Sequence, residues 1–538
     1  LSLQVFKDVI RQLGVRMLQC RFEADEEIAA IASHFGCPVA SQDSDFYIFD
    51  IAGGFIRLDS IAKAPSTTSI CGVEVKSLFC QLYHVRNLLT LFPGLDPQLL
   101  PLFPSVLGND YVSGSTFDAF LSGLEPPEVC ESMSRGGQQQ TNIINLLHWM
   151  QTVTSREDAI SQVLATVKSE DRDRKEKLLR ASVASYAAFT SRFVSSFERG
   201  SRLELLDSLG APYPRWFAEL FFSCEINSYL LNVAAARKVF HYPQIECSTM
   251  PSSYACSLPL RKVLFGLALG PEEESDVTIE VFERDGEDLT RRLVRPSYEV
   301  PRFGKLSKIE DIAGLGVSKR RELFDRVLQF DGSKLEYPKS LHTLLAITAY
   351  WIKHTSAQIN ENLLRSLLLG VVLFRLRSRP CSLPNQVCHE PKSETGNIQE
   401  VLPGVQDGDL TEVAVEEILK NFSKFFSRSV CGHARHFDAD VVYAYCQLQT
   451  CMYAASCLLR TLLRPYQDVL FHESLNGTFL HNFTRELNAQ RNPDLFISRN
   501  LVEGSPLEMA FCRFYNNFRR GLSDHYFGLK SRSTMKTS

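Results

Sequence analysis

The 538-residue sequence has no excess of charge of either sign: 58 Lys and Arg stand against 62 Asp and Glu, a formal net charge of -4. A global basic footprint for nucleic acid is therefore excluded, and any such surface must be local. Long apolar runs are lacking too. The longest, near Leu367 to Phe374, is bracketed by Arg365 and Arg375 and falls far short of the roughly 20 residues a bilayer span needs. With no secretory signal legible either, no membrane partner is expected. The fifteen cysteines are an odd number, scattered from Cys20 to Cys512 without a CxxC pair, and some, such as Cys80 and Cys457, sit in apolar stretches. That excludes a disulfide framework and predicts reduced thiols in a cytosolic or nuclear protein. Position 1 is Leu rather than Met, inside an amphipathic pattern of Leu3, Phe6, Val9, Ile10 and Leu13. A fragment missing its natural N-terminus is the expectation.

What is present is ordinary globular composition, 44% hydrophobic, in a chain long enough for two to four domains. Helical spacing to about residue 13 gives way at Gly14 to a predicted strand, Val15 to Phe22. A helix follows over Ala24 to Phe35, ended by Gly36, then predicted strands at Pro38 to Ser41, Phe46 to Phe49 and Gly54 to Leu58. Such alternation is the pattern of an α/β domain, placed at 1–124. Further helices are expected at Tyr83 to Phe92 and at Asp96 to Leu107, with Asp96 as N-cap and Pro97 at the first helical position. Residues 125–377 read as mainly helical, with a solvated charged face at Ser169 to Lys177. A hairpin is expected within 277–294, its connection longer than two residues. Prolines 380, 384, 391 and 403 mark 378–409 as a disordered linker. A helical region, 410–528, and a mobile tail, 529–538, complete the expected order.

The chemistry-bearing residues cluster early. Glu23 and Asp25 stand where a predicted strand gives way to a helix, the carboxyl edge at which open α/β sheets bind ligands. Asp43 and Asp45 follow the next apolar strand, and on an extended chain a spacing of two puts both side chains on one face. Clustered carboxylates suit Mg²⁺, which prefers hard oxygen ligands, and paired ions hydrolyse phosphodiesters by in-line displacement. Like charges so close repel unless cations lie between them. The blander alternative is that acids at a helix start answer the helix dipole, and that Asp-Ser-Asp is a turn.

Three strings decide between these readings: Phe22-Glu23-Ala24-Asp25-Glu26-Glu27-Ile28-Ala29, Ser41-Gln42-Asp43-Ser44-Asp45-Phe46 and Gly108-Asn109-Asp110-Tyr111. In order and spacing they resemble the internal block of the flap endonuclease (FEN/XPG) superfamily, and the chain as a whole looks most like its asteroid branch. The resemblance implies the C-terminal half of a PIN-like α/β nuclease domain, followed by a mainly helical region. It implies that Glu23, Asp25, Asp43, Asp45 and Asp110 are catalytic and hold Mg²⁺ or Mn²⁺, two ions in the complete protein. It further implies a nuclear endonuclease acting on single-stranded or overhang DNA, with double-strand-break repair proteins and end joining as its setting. The alternative is an inactive PIN-like scaffold in repair or in receptor tyrosine kinase (EGF receptor) signalling. The family's first acids have no counterpart here, so the fragment alone is expected to be inactive. The family's Gly-Ile-Gly hairpin is also absent after Tyr111, where Val112-Ser113-Gly114 follows.

Four lesser readings complete the set. Gly314, Gly316, Lys319, Arg320 and Arg321 have the form of a phosphate-binding turn opening a basic helix, or of an ordinary glycine turn. Cys431, His433 and His436 offer zinc-ligand chemistry without an evident fourth ligand. Aromatic and basic residues alternate from Phe511 to Tyr526 as on single-strand binders, or as in an amphipathic helix docked on the protein. Asp43 and Asp45 also fit the paired acids of a haloacid-dehalogenase phosphatase, which leaves Glu23 and Asp25 without a role.

Overall fold

The computed structural model describes residues 2–20, 24–109, 112–125, 137–187, 191, 193–194, 213–241, 244, 248–270, 277–356, 359–377, 398–402, 405, 410–427 and 436–523. Most of the linker expected at 378–409, and the tail at 529–538, lie outside these residues. Two compact units divide the chain: Cys20–Gly210, and Leu1–Gln19 together with Ala211–Ser538.

The Cys20–Gly210 unit opens with the Asp25–Phe35 helix, whose first turn holds Asp25, Glu26 and Glu27 and which is capped by Gly36. Acids there complement the positive end of the helix dipole. Ala29, Ala30 and Ala32 form its buried side. A three-stranded sheet follows, with Phe55–Arg57 at its centre, Val39–Ser41 parallel to it and Leu82–Tyr83 antiparallel. Parallel pairing needs a crossover, and that crossover carries Asp43 and Asp45. The strand expected over Phe46 to Phe49 is replaced by a 3-10 turn, Ser44–Tyr47, capped by the Asp43 side chain. A local side-chain acceptor for a backbone N–H competes with strand pairing, and here it wins.

The helix expected over Asp96 to Leu107 is interrupted for a similar reason. Asp96 caps a 3-10 turn at Pro97–Leu99, and the α-helix starts only at Leu102, after Pro101. Proline has no N–H to give to a continuing helix. The Leu102–Leu107, Gln138–Met150, Arg156–Ala165 and Ser169–Ala187 helices then share one core with the sheet, in which Phe46, Phe55, Leu102, Val106, Leu146, Val163, Leu179 and Val183 are buried. This shared core carries the unit past residue 124.

In the second unit the Ala439–Thr461 helix is buried on nearly every side and packs against Leu258–Leu269, His342–His354 and Gly477–Ala489. A helix apolar all round belongs in a core. A three-stranded sheet pairs Lys238–Phe240 in parallel with Ile279–Asp285, which pairs antiparallel with Asp288–Val294. The expected hairpin is present, but its strands run on to Asp285 and Asp288. Its turn is therefore only Gly286-Glu287, with Gly286 at φ +63°, the positive φ that two-residue hairpin turns demand.

The Ser2–Gln12 helix belongs to this unit. Residues 15–20 after it form no strand. Gln19 instead donates its backbone N–H to Phe222 O (3.2 Å) and its amide to Phe221 O (3.3 Å) and Ile226 O (3.0 Å). Hydrogen bonds spent on those carbonyls are lost to a sheet ladder. No described helix is long and apolar enough to cross a membrane.

Candidate functional site

Asp25 is the first residue of the Asp25–Phe35 helix and is half-buried. Beside it, burial and the Glu27 charge raise the Glu26 carboxyl above its ordinary range. Asp43 is exposed: its backbone N–H donates to Ser41 Oγ (3.0 Å), and its Oδ1 accepts from Asp45 N (3.1 Å). The expected argument for Asp43 and Asp45, a shared face on an extended chain, is corrected here, because the 3-10 turn begins between them. What places Asp45 is a long-range contact instead. Its Oδ2 accepts a 2.5 Å hydrogen bond from Tyr186 Oη, on the Ser169–Ala187 helix.

Tyr186 is buried against Phe49, ring centroids 5.4 Å apart. Burial first, then the hydrogen bond to Asp45 and the Asp45 charge, raise its phenol pKa; the hydrogen bond from Asn109 opposes them, and the Asp25 charge adds the smallest contribution. Asn109 Nδ2 donates both to Tyr186 Oη (3.1 Å) and to Ser182 Oγ (2.8 Å). Its Oδ1 accepts from Val112 N and its N–H donates to Val112 O, both at 2.9 Å. Asn109 and Val112 are the described neighbours of Asp110 and Tyr111, which, like Glu23, lie outside the described residues.

Gly108 makes room for this arrangement. At φ +104°, a Cβ there would lie 2.5 Å from Gly114 Cα, so a side chain would be excluded by both conformation and space.

Carboxylates are the correct donor chemistry for Mg²⁺ or Mn²⁺. Among the described residues, however, no three His, Cys, Asp or Glu come together as a metal shell. Asp45 is held by Tyr186, Asp43 sits at the start of the same turn, Asp25 opens the Asp25–Phe35 helix, and Glu23 and Asp110 fall outside the described set. Sequence reasoning missed Asn109, Ser182 and Tyr186. Their one local signal is that Ser182 and Tyr186, four apart and therefore on one face, accompany buried Leu179 and Val183.

The other sequence candidates resolve differently. Gly314 and Gly316 precede the Val317–Leu328 helix, and open space surrounds a Cβ added at either. Lys319 pairs with Glu322 at 3.0 Å and lies 4.6 Å over the Phe303 ring. Arg320 donates to Leu462 O (3.3 Å) and Arg321 to Pro465 O (2.9 Å), the latter also 5.3 Å from the Tyr466 ring centre. Both arginines therefore answer carbonyls where the Ala439–Thr461 helix ends. Cys431 and His433 lie outside the described residues, while His436 Nδ1 and Arg485 form a 3.0 Å hydrogen bond. In the Pro506–Ser523 helix, Phe511, Phe514, Tyr515 and Phe518 are buried, so their faces pack on protein.

The chain compares with a coherent set of relatives. Residues 340–530 match the Asteroid N-terminal domain. Single-strand DNA endonuclease ASTE1 from Homo sapiens is 24% identical over 512 residues, covering 92% of this chain and 70% of that protein. The Danio rerio protein of the same name is 24% identical over 568 residues, 100% of this chain and 72% of the relative. Protein asteroid from Drosophila melanogaster is 21% identical over 694 residues, 95% and 78% respectively. The chain is similar to the asteroid proteins over nearly its whole length. No solved structure matches it.

Proposed function

We propose that this chain carries part of the centre of a metal-dependent DNA endonuclease with a PIN-like domain, acting on single-stranded or overhang DNA. The observation that carries the reading is the Asp45 carboxylate held by Tyr186 at 2.5 Å, within the block that resembles the flap endonuclease superfamily. The names of the mammalian and fish relatives support the same substrate class.

In this reading Glu23 and Asp25 hold one side of the site, and Asp43, Asp45 and Asp110 the other. Divalent ions bound between them would supply an activated water and charge neutralisation at the leaving oxygen. The chain's own part is to bring the carboxylates together despite their mutual repulsion and to fix their orientation. A nuclear location and service in double-strand-break end joining belong to the same proposal.

The test is cleavage of a labelled single-stranded oligonucleotide by the native protein with Mg²⁺ or Mn²⁺. Cleavage abolished both by EDTA and by Asp45→Ala is expected. Metal-dependent cleavage unchanged by Asp45→Ala sinks this assignment of the site. A protein that neither binds Mn²⁺ nor cleaves, yet keeps its protein partners, is the inactive scaffold instead.

A further inference from the structure

Beyond the acids lies a hydrogen-bond chain whose every proton has a direction. Asn109 Oδ1 is identified by the Val112 N–H that it accepts at 2.9 Å, so its Nδ2 is a pure donor toward Ser182 Oγ and Tyr186 Oη. Tyr186 Oη, already accepting from Asn109, has one proton, and gives it to Asp45 Oδ2 at 2.5 Å. Asp45 Oδ2 is thereby an acceptor. At the other end Ser105 Oγ donates to Pro101 O (2.9 Å), so the 2.8 Å bond between Ser105 and Ser182 must be donated by Ser182.

Ser105 and Ser182 are almost wholly buried, at 0% and 1% exposure. Water is therefore a poor substitute for either partner, and breaking the chain leaves a buried group unsatisfied. Three separated stretches are joined this way: the 3-10 turn with Asp45, residues 101–109, and the Ser169–Ala187 helix.

We propose that Tyr186, Asn109 and Ser182 are positioning residues which hold the Asp45 carboxylate in one fixed orientation for divalent-metal binding. The assignment rests on the reading of Asp45 as a metal ligand. Groups that orient a ligand from behind typically change metal affinity about 10- to 100-fold when removed. Tyr186→Phe removes the hydroxyl that donates to Asp45 Oδ2 while keeping the ring against Phe49.

Binding of Mn²⁺ by the full chain, followed by titration calorimetry, tests the proposal, with thermal melting run in parallel. Tyr186→Phe and Asn109→Ala are each expected to weaken Mn²⁺ binding about tenfold. The double variant should be little weaker than the worse single one, since both act through one chain. Saturating Mn²⁺ should restore occupancy in Tyr186→Phe but not in Asp45→Ala.

Tyr186→Phe binding Mn²⁺ as the wild type does, while Asp45→Ala loses it, overturns the positioning role and leaves the nuclease reading standing. A lowered melting temperature with unchanged Mn²⁺ affinity has the same meaning, a purely structural contact. Wild type and Asp45→Ala alike failing to bind Mn²⁺ removes the nuclease reading and this inference with it. If Asn109→Ala does not fold, Tyr186→Phe decides alone.

Discussion

Asp8, in the first helix, lies 3.6 Å from Arg460, near the end of the Ala439–Thr461 helix, with side-chain exposures of 1% and 5%. The carboxylate also accepts from Gln4 (2.9 Å) and Arg11 (3.0 Å), and Arg460 is shared with Asp468 at 2.7 Å. A buried charge is tolerable only when paired. The opening helix is thus an integral part of the second unit.

Asp8→Ala strands part of that pairing while leaving Arg460 its Asp468 contact. A loss of about 1–3 kcal/mol is expected for such a partly compensated buried group. Urea denaturation should show a lower midpoint at an unchanged slope. A midpoint equal to that of the wild type contradicts the structural weight given to the first helix.

Gly108→Ala introduces a Cβ where φ is +104° and Gly114 Cα is 2.5 Å away. The cost should exceed about 1 kcal/mol, the usual scale for Ala forced into an incompatible glycine conformation. Since Asn109 follows directly, Mn²⁺ binding should weaken along with stability. Unaltered melting and unaltered Mn²⁺ affinity would show that the close approach is not needed.

Arg320 and Arg321 meet main-chain carbonyls, so their joint replacement by Ala together with Lys319→Ala is expected to act on stability. The slope of log affinity for single-stranded DNA against log salt should stay as in the wild type. A slope reduced by about 2, as three lost phosphate contacts would give, restores the basic turn as a DNA-contacting surface.

His241 carries a stability dependence on pH. Burial first, and then the Arg261 charge, lower its pKa to about 2, while Arg261 and His241 Nε2 form a 2.6 Å hydrogen bond. Folded pKa lies below unfolded pKa, about 6.5 for histidine. The unfolded chain therefore takes up the proton first, and stability is full above about pH 6.5 and falls as pH drops toward 2. The slope approaches about 1.4 kcal/mol per pH unit for one such group. His241→Gln, which keeps an acceptor without the titration, should flatten the fall in melting temperature between pH 6.5 and 4.5; an identical profile in the variant rules this source out.

Local rules made a good part of the first unit legible. The Asp25–Phe35 helix and its Gly36 stop follow from apolar spacing and capping, and the short strands at Val39–Ser41 and Phe55–Arg57 lie inside the apolar stretches that predicted them. Local rules also explain two misreadings. Asp43 and Asp96 both cap 3-10 turns where a strand and a continuous helix were expected, because side-chain acceptors near a backbone N–H redirect the chain within two residues. The hairpin turn was read too long because its last strand residues, Glu283 to Asp285 and Asp288, are polar, and an apolar pattern does not mark such residues.

By itself, then, the amino-acid order determined the likeness to the asteroid proteins, the separate acid blocks at 23–25, 43–45 and 110, and most of the helical periodicity. Those depend on neighbours within about four positions, where geometry is set by the backbone alone. Only the tertiary structure decided that Tyr186 and Asn109 lie behind Asp45, that Arg320 and Arg321 are occupied by helix-end carbonyls, and that Asp8 answers Arg460. Each is a choice of partner across 70 or more positions, made when packing removes water from the alternatives and leaves a buried polar group one neighbour to bond.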